Sequence, residues 1–299
     1  MGRQAAELAS DLRQGPFRAR DAMERGVTAG RLRAGDLHTP IRGVRVAGED
    51  PGLETRCRAF LLHRQEQVAF SHVTAAELLG APLPAAIRED DRLHVSIPAG
   101  GRAVQAASVV GHTLTAWTTM TFRGLPLTTP EQTWLDLAAV LGRDALVAVG
   151  DWLVSYRRPM TTPEALANIV RSAPGRRGIA TARAALTLVR TRSESPAETR
   201  LRLILLDAGL PEPWLNYVIH RPDGSFLARV DMAYPPERVI LEYEGDGHRV
   251  DREVWFRDIQ RREHLEDLGW RVVRITAADL RTPASLLTRL PRLLATRRE

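Results

Sequence analysis

Residues 229–248 read RVDMAYPPERVILEYEGDGH, and this stretch determines which fold the C-terminal part of the chain can adopt. Two runs rich in strand-forming residues, 226–233 and 239–243, lie on either side of Pro235 and Pro236. Such runs, separated by turn-forming residues, predict two antiparallel strands joined by a short loop. The stretch is therefore expected to be a β-hairpin.

The expected hairpin carries three acidic side chains. Glu242 and Glu244 are two positions apart and therefore share a face of their strand, and antiparallel pairing would bring Asp231 beside them. Three carboxylates in one patch repel one another unless protons or a cation neutralise them, and a hard divalent cation with oxygen ligands does so most naturally. The alternative is a solvated edge strand with protective charges. The apolar run 239–241 instead indicates a strand buried in its sheet.

The composition suits a polyanionic partner. The net charge is +6, and all 42 basic residues are arginine. A guanidinium group binds phosphate through two hydrogen bonds, although a GC-rich genome would also raise the arginine content.

The single cysteine, Cys57, excludes an internal disulfide and a cysteine-based zinc site. The first residues form no apolar signal core, and no run of about 18 apolar residues occurs. We therefore expect a cytoplasmic protein without a membrane partner.

The length of 299 residues allows two or three domains, and the patterning predicts a multi-domain α/β fold. In residues 1–50, three short helices followed by a ribbon predict a winged helix-turn-helix with residues 28–34 as its recognition helix, capped by Thr28. A small helical bundle with a solvated face is the alternative. Residues 51–155 are expected to form a mixed α+β region, and residues 156–194 a basic helical connector.

Residues 195–299 predict an α/β sandwich around a mixed sheet, in the order helix, three strands, helix, strand, helix. Ser195, Pro196 and Glu198 form the capping-box pattern that starts the first helix. In the middle region, four histidines are scattered without the spacing of metal ligands, so each is expected to be an ordinary core or surface residue: His63, His72, His94 and His112.

The opening segment PFRARDAMERGVTAGRLRAGDLHTPIRGVRV, residues 16–46, resembles the N-terminal domain of AbiEi-type antitoxins. That domain is a winged helix used for DNA binding and autoregulation, and the region after residue 50 looks like the middle region of the same proteins. The resemblance implies that Arg31, Arg33 and Arg42 contact phosphates or bases. It also makes a cognate toxin a candidate partner.

Three C-terminal segments carry a second resemblance: SPAETRLR, RVDMAYPPERVILEYEGDGHR and RDIQRREHLEDLGWRVVRIT. In this order and spacing they resemble the domain of unknown function 559 group, relatives of the very-short-patch-repair endonucleases in the PD-(D/E)XK nuclease superfamily. The resemblance implies a restriction-endonuclease-like fold in which Asp231 and Glu242 bind Mg²⁺, with Mn²⁺ as a substitute. It also makes a repair protein a candidate partner.

Further site residues follow from the same resemblance. Glu198 matches a first-helix glutamate that would orient a metal-bound water, and His248 stands where the repair endonucleases have a histidine that would handle a proton. Arg261 matches a helix arginine that would contact phosphate. The usual lysine of the superfamily, two residues after the acid, is Glu244 here. Either Glu244 helps to bind metal, or His248 takes the role of the base, or the site has lost cleavage.

The expected function is therefore that of a metal-dependent DNA endonuclease, with the N-terminal region supplying DNA affinity. The alternative is a non-catalytic DNA-binding transcriptional regulator or antitoxin-like protein with a degenerate nuclease fold. A third hypothesis is an interaction protein paired with a toxin.

Overall fold

The structure, a computed structural model, describes residues 7–48, 50–64, 67–244 and 252–295, and the side chains of the last range from residue 259 onward. The chain divides into two compact units, Met1–Val140 and Leu141–Glu299. Both units combine helices with β-sheets, as the predicted multi-domain α/β class requires. None of the helices within the described ranges is both long and apolar enough to cross a membrane.

The first unit begins with a small antiparallel sheet in the strand order β1-β3-β2. Its core consists of buried side chains from the short helices and the first strand, because each element is too short to bury an apolar face alone. The elements are α1 (Ser10–Arg13), β1 (Phe17–Arg18), α2 (Ala19–Glu24), a 3-10 turn (Arg31–Arg33), β2 (Leu37–His38) and β3 (Val44–Ala47).

The predicted recognition helix at residues 28–34 is wrong as an α-helix, because the structure places only the 3-10 turn Arg31–Arg33 there. The hydroxyl of Thr28 does accept the N–H of Arg31 at 3.2 Å, as a capping residue would. Gly30 lies within this segment and Gly26 and Gly35 lie on either side of it, and glycine disfavours a helix by about 1 kcal/mol per residue. A winged helix in residues 1–50 therefore stays a prediction.

The remainder of the first unit is built on a mixed sheet in the strand order β6-β7-β5-β4-β9-β8. Strand β5 runs parallel to β7, and β4 runs parallel to β9. The start of α6 follows from its local sequence, because the Thr129 side chain accepts the N–H of Gln132 and Pro130 occupies the first turn. The elements are α3 (Leu53–Leu61), β4 (Ala69–Phe70), α4 (His72–Leu78), α5 (Ala85–Arg88), β5 (Leu93–Pro98), β6 (Gln105–Ala106), β7 (Val109–Leu114), β8 (Thr119–Phe122), β9 (Leu125–Thr128) and α6 (Pro130–Leu137).

The second unit starts before the predicted connector. Its first helix packs against two later helices, and Asp151 on it accepts hydrogen bonds from Thr199 and Arg202 on the second of them. The basic segment 156–194 is thus part of a folded unit. The helices are α7 (Arg143–Leu153), α8 (Pro163–Ser172), α9 (Ile179–Leu186) and α10 (Pro196–Asp207).

The C-terminal sheet has the strand order β10-β11-β12-β13, with β12 and β13 parallel and the other pairs antiparallel. The predicted hairpin and the predicted order of elements are confirmed, and two helices end the chain instead of one. Residues 239–241 are buried, which excludes a solvated edge strand. The elements are β10 (Trp214–His220), β11 (Phe226–Tyr234), β12 (Val239–Glu244), α11 (Arg252–Asp267), β13 (Arg271–Thr276), α12 (Ala277–Arg281) and α13 (Ala284–Ala295).

Apolar layers cover both faces of this sheet. Leu201 and Leu205 of α10 pack with Leu241 on one face, together with residues of the last two helices. On the other face, Leu265 of α11 packs against Ile240 and its neighbours. Alternate residues of β12 therefore face different helices, which places Glu242 on the α11 side by the two-residue period of a strand.

Candidate functional site

The candidate site surrounds Asp231, where the pairing of β11 with β12 ends. Met232 and Leu241 are the last residues of the two strands that pair through their backbones. Beyond them, Asp231 Oδ2 accepts the N–H of Tyr243 at 2.9 Å. In the register of β10 with β11, Asn216 is opposite Asp231, and it adopts a left-handed φ of +47°. Side-chain hydrogen bonds thus replace the regular backbone hydrogen bonds between the strands here. The sheet is therefore irregular and polar at this position, although it is otherwise apolar.

Half-buried Asp231 lies close to a buried acid, Glu198 at the start of α10. Burial raises the pKa of Asp231, while the Tyr243 N–H and the charge of Arg261 oppose this rise. Burial also raises the pKa of Glu198, and the negative charge of Asp231 adds to that rise. Desolvation and mutual repulsion both disfavour two charged carboxylates, so the pair favours a nearby cation or a bound proton.

Hydrogen bonds fix the orientation of Glu198. Ser195 Oγ donates to Oε1 at 2.9 Å, and Oε2 accepts the N–H of Glu194 at 3.0 Å and Nδ2 of Asn216 at 3.2 Å. The Ser195 hydroxyl in turn accepts the Glu198 N–H at 3.1 Å, so the predicted cap is confirmed. These contacts give Glu198 a structural role, and its predicted action on a metal-bound water stays a prediction.

Two of the three carboxylates in the expected patch form ion pairs with different arginines. Arg261 of α11 binds Glu242 through two contacts of 2.9 and 3.1 Å, and Arg274 of β13 pairs with Glu244 at 2.9 Å. Glu242 and Glu244 are therefore neutralised by different partners. Among the residues that the structure describes, no three carboxylates bring their oxygens within 4.8 Å of one another.

The donor set at Asp231 and Glu242 nevertheless fits a divalent cation. Both side chains are carboxylates, the ligand type that Mg²⁺ and Mn²⁺ prefer. A positive charge already acts on both, because the Arg261 guanidinium binds Glu242 and its charge opposes the rise in the pKa of Asp231. Metal binding by both acids would require Arg261 to release Glu242. The same movement would free Arg261 for phosphate.

A basic group beside Asp231 was missed in the sequence. Arg229 forms two hydrogen bonds with Glu194, at 2.6 and 3.0 Å, and Arg157 lies 3.0 Å from the same carboxylate. Although burial opposes it, the Tyr156 hydroxyl and Arg229 lower the pKa of Glu194. Arg229 could have been identified from its position two residues before Asp231. Arg157 could not, because tertiary packing brings it to the Glu194 carboxylate.

The predicted DNA-contacting residues of the first unit differ in their surroundings. Arg33 and Arg42 are exposed, and within the described ranges neither forms an ion pair. Arg31 instead pairs with Asp36 at 2.6 Å and keeps only 9% of its side chain exposed. Arg31 is thus held against its own turn. The predicted proton-handling residue, His248, lies outside the described residues.

Three histidines that the sequence left scattered come together in the first unit. His94 Nδ1 lies 3.1 Å from His112 Nε2, and the rings of His72 and His112 stack with centroids 3.6 Å apart. Spacing along the chain did not indicate this cluster, because non-adjacent elements place the three side by side, and their being ordinary residues stays a prediction. His63 lies apart from them, against Gly43.

Comparison with known proteins gives relatives without an assigned activity. No protein-family model matches the chain. Two uncharacterized proteins of Mycobacterium tuberculosis, from strain CDC 1551 / Oshkosh and strain ATCC 25618 / H37Rv, are each 36% identical to this chain over 168 residues. The matched segment covers 56% of this chain and 61% of each relative. Because it spans less than two thirds of these relatives, function is argued from the site itself.

Proposed function

We propose that the chain is a metal-dependent DNA endonuclease whose phosphodiester-cleaving site is centred on Asp231. The observation that carries the proposal is an acidic pair, half-buried Asp231 and buried Glu198, at the point where β11 leaves β12. A third acid, Glu242, lies on the neighbouring strand and is bound by Arg261. The resemblance of the three C-terminal segments to repair-type nucleases supports the same assignment.

The residues of the site suit hydrolysis of a phosphodiester. Asp231 and Glu242 would hold Mg²⁺, which when bound activates water and neutralises charge on the phosphate. Arg261, once displaced from Glu242, would bind a phosphate oxygen, and Arg229 would add positive charge beside the scissile group. Burial around Asp231 strengthens each of these electrostatic interactions, because water screens them less.

The contact of Glu244 with Arg274 bears on the missing lysine. Arg274 engages Glu244 as Arg261 engages Glu242, so Glu244 would have to release its arginine before it could bind metal. Among the three alternatives for this position, we propose that His248 takes the role of the base.

A plasmid assay tests the proposed activity. We expect the purified full chain to convert supercoiled DNA to nicked or linear forms with Mg²⁺ or Mn²⁺, and to lose this activity in EDTA. A catalytically inert metal such as Ca²⁺ should support DNA binding alone. Intact plasmid with every metal, despite retained DNA binding, would reject the nuclease and leave the regulator as the better function.

Removing the Arg261 side chain should strengthen metal binding. A charge-assisted pair contributes about 1.5–3 kcal/mol, so Arg261→Ala is expected to bind Mn²⁺ roughly tenfold more tightly and DNA more weakly. Isothermal titration measures the first effect. Arg262→Ala is the matched control, because Arg262 is the adjacent arginine of α11 and pairs with Glu266 in an exposed i,i+4 contact. Equal Mn²⁺ affinity in the two variants would show that Arg261 does not compete with metal.

The second candidate function is a DNA-binding regulator, and exposed Arg33 and Arg42 favour it. Substituting both with alanine should weaken retardation of promoter DNA by the full chain and reduce the salt slope of binding by about 2, since each phosphate contact contributes about 0.9. The control is the double variant Arg13→Ala/Arg20→Ala, whose arginines are exposed but pair with Glu7 and Glu24. If both double variants bind DNA like the unaltered chain, the assigned surface is incorrect.

A further inference from the structure

Three neighbouring strands bring the histidine cluster together. Sheet order places β7, β5 and β4 side by side, and His72 begins α4 directly after β4. In the parallel register of β5 with β7, His94 is opposite Val110, so His112, two residues further along β7, projects from the same face. Residues far apart in sequence therefore converge on one side of the sheet.

The ring nitrogens have the separation that ligands of a single ion would have. One nitrogen from each of the three histidines lies within 4.8 Å of the others, and His94 Nδ1 and His112 Nε2 are 3.1 Å apart. Zinc–nitrogen bonds are about 2.0–2.1 Å long, so two nitrogens on a tetrahedral ion are about 3.3 Å apart. The observed distance needs little adjustment to reach this value.

We propose that His72, His94 and His112 form a binding site for a divalent transition metal, with zinc as the best match. Three imidazoles with a fourth position open is a known zinc arrangement, and imidazole also suits cobalt, nickel and copper. His94 and His112 are only half-buried, so an ion can reach them. A bound ion would turn the stacked rings of His72 and His112 slightly apart.

The surroundings of His72 orient it as a ligand. Its Nδ1 lies 3.0 Å from Ser71 Oγ and 3.5 Å from Oδ2 of Asp136, a carboxylate with no exposed surface. The other nitrogen, Nε2, is therefore the one that would bind the ion. A carboxylate behind a ligating histidine fixes its tautomer and raises its basicity, as at many zinc sites. His72 also holds a φ of +50°, an uncommon value for a residue other than glycine.

The same contacts argue against a nucleophilic serine. In a serine–histidine–aspartate relay, the serine and the aspartate bind opposite nitrogens of the imidazole. Here Ser71 and Asp136 both lie at Nδ1, and Ser71 is fully buried. The cluster also differs from the carboxylate site at Asp231, because Mg²⁺ prefers oxygen ligands whereas imidazole prefers zinc-like ions.

Cobalt binding tests the site directly. The metal-stripped full chain is titrated with Co²⁺, whose visible absorption reports coordination, and Zn²⁺ is then added in competition. We expect one Co²⁺ per chain with histidine-type spectra, displaced by Zn²⁺, and a higher melting temperature with Zn²⁺. His112→Ala and His94→Gln should each weaken binding at least about 100-fold.

Controls separate this site from the rest of the protein. His63→Ala removes an exposed histidine of the same unit and should bind Co²⁺ normally. Circular dichroism establishes that the variants are folded. The proposal is overturned if the unaltered chain binds no stoichiometric Co²⁺ or Zn²⁺, or if the folded His112→Ala and His94→Gln variants bind as tightly as it does.

Discussion

Replacing Asp231 by asparagine is expected to lower Mg²⁺-dependent DNA cleavage at least about 100-fold. The substitution removes the negative charge that would hold the cation, yet the amide oxygen can still accept the N–H of Tyr243, as Oδ2 of Asp231 does at 2.9 Å. The local backbone arrangement should therefore survive. Cleavage rates measured on supercoiled plasmid over a range of Mg²⁺ concentrations distinguish a loss of metal affinity from a loss of turnover.

The stability of this variant gives an independent check. Partial burial raises the pKa of the Asp231 carboxyl in the folded protein, so folding becomes less favourable as the pH rises from the pKa of the unfolded chain towards that of the folded protein. Without metal, the asparagine variant should be at least as stable as the unaltered chain at pH 8, and its relative advantage should decline as the pH falls and Asp231 becomes protonated. Thermal melts in EDTA at several pH values measure this.

A matched substitution tells cleavage apart from contamination. Asp223 lies in the exposed turn before β11 and accepts the N–H of Ser225 at 2.8 Å, a bond that asparagine can also accept. Asp223→Asn should therefore cut DNA at the unaltered rate. Identical product bands from Asp231→Asn and Asp223→Asn preparations would show that the nuclease activity does not come from this site.

Local patterns were sufficient to predict the C-terminal fold. The alternation and turn residues of 226–243 predict the hairpin, and the apolar run 239–241 predicts its buried strand, since both features depend on neighbours in sequence. The caps at Thr129 and Ser195 were predictable for the same reason. The segment 28–34 was misjudged, because a helical pattern of seven residues is too short to outweigh Gly30 within it and the glycines close to its ends.

Partners from distant segments could not be predicted. The positions of Glu242 and Glu244 on one strand face follow from a period of two, but their pairing with Arg261 and Arg274 depends on how α11 and β13 dock on the sheet. The histidine cluster depends likewise on strand order, because β4 is the neighbour of β5 and β5 that of β7. Spacing in sequence carries no information about such contacts, so only the acids of the candidate site were identified from the residues themselves.

Replacing Asp151 by alanine is expected to destabilise the second unit by about 3–5 kcal/mol. Asp151 is 1% exposed, and its carboxylate accepts the Arg190 N–H at 2.7 Å, the Thr199 hydroxyl at 2.8 Å and the Arg202 guanidinium at 2.8 Å. Arg202 has no exposed surface. Its remaining acidic contact is Glu212 at 3.4 Å, so the substitution leaves a buried positive charge poorly compensated. Urea denaturation of the full chain, followed by circular dichroism, measures the shift in midpoint.

Two further variants decide whether the buried charge is the cause. Asp207→Ala removes an aspartate that is 51% exposed and pairs with Arg143, so it should cost less than about 1 kcal/mol. Asp151→Leu/Arg202→Met removes both charges, and it should recover much of the lost stability because apolar groups of similar size can replace a buried ion pair at little cost. If the double variant were less stable than Asp151→Ala, the hydrogen bonds to Arg190 and Thr199 would be the larger contribution. The buried pair would then serve chiefly to fix how α7 packs against α10.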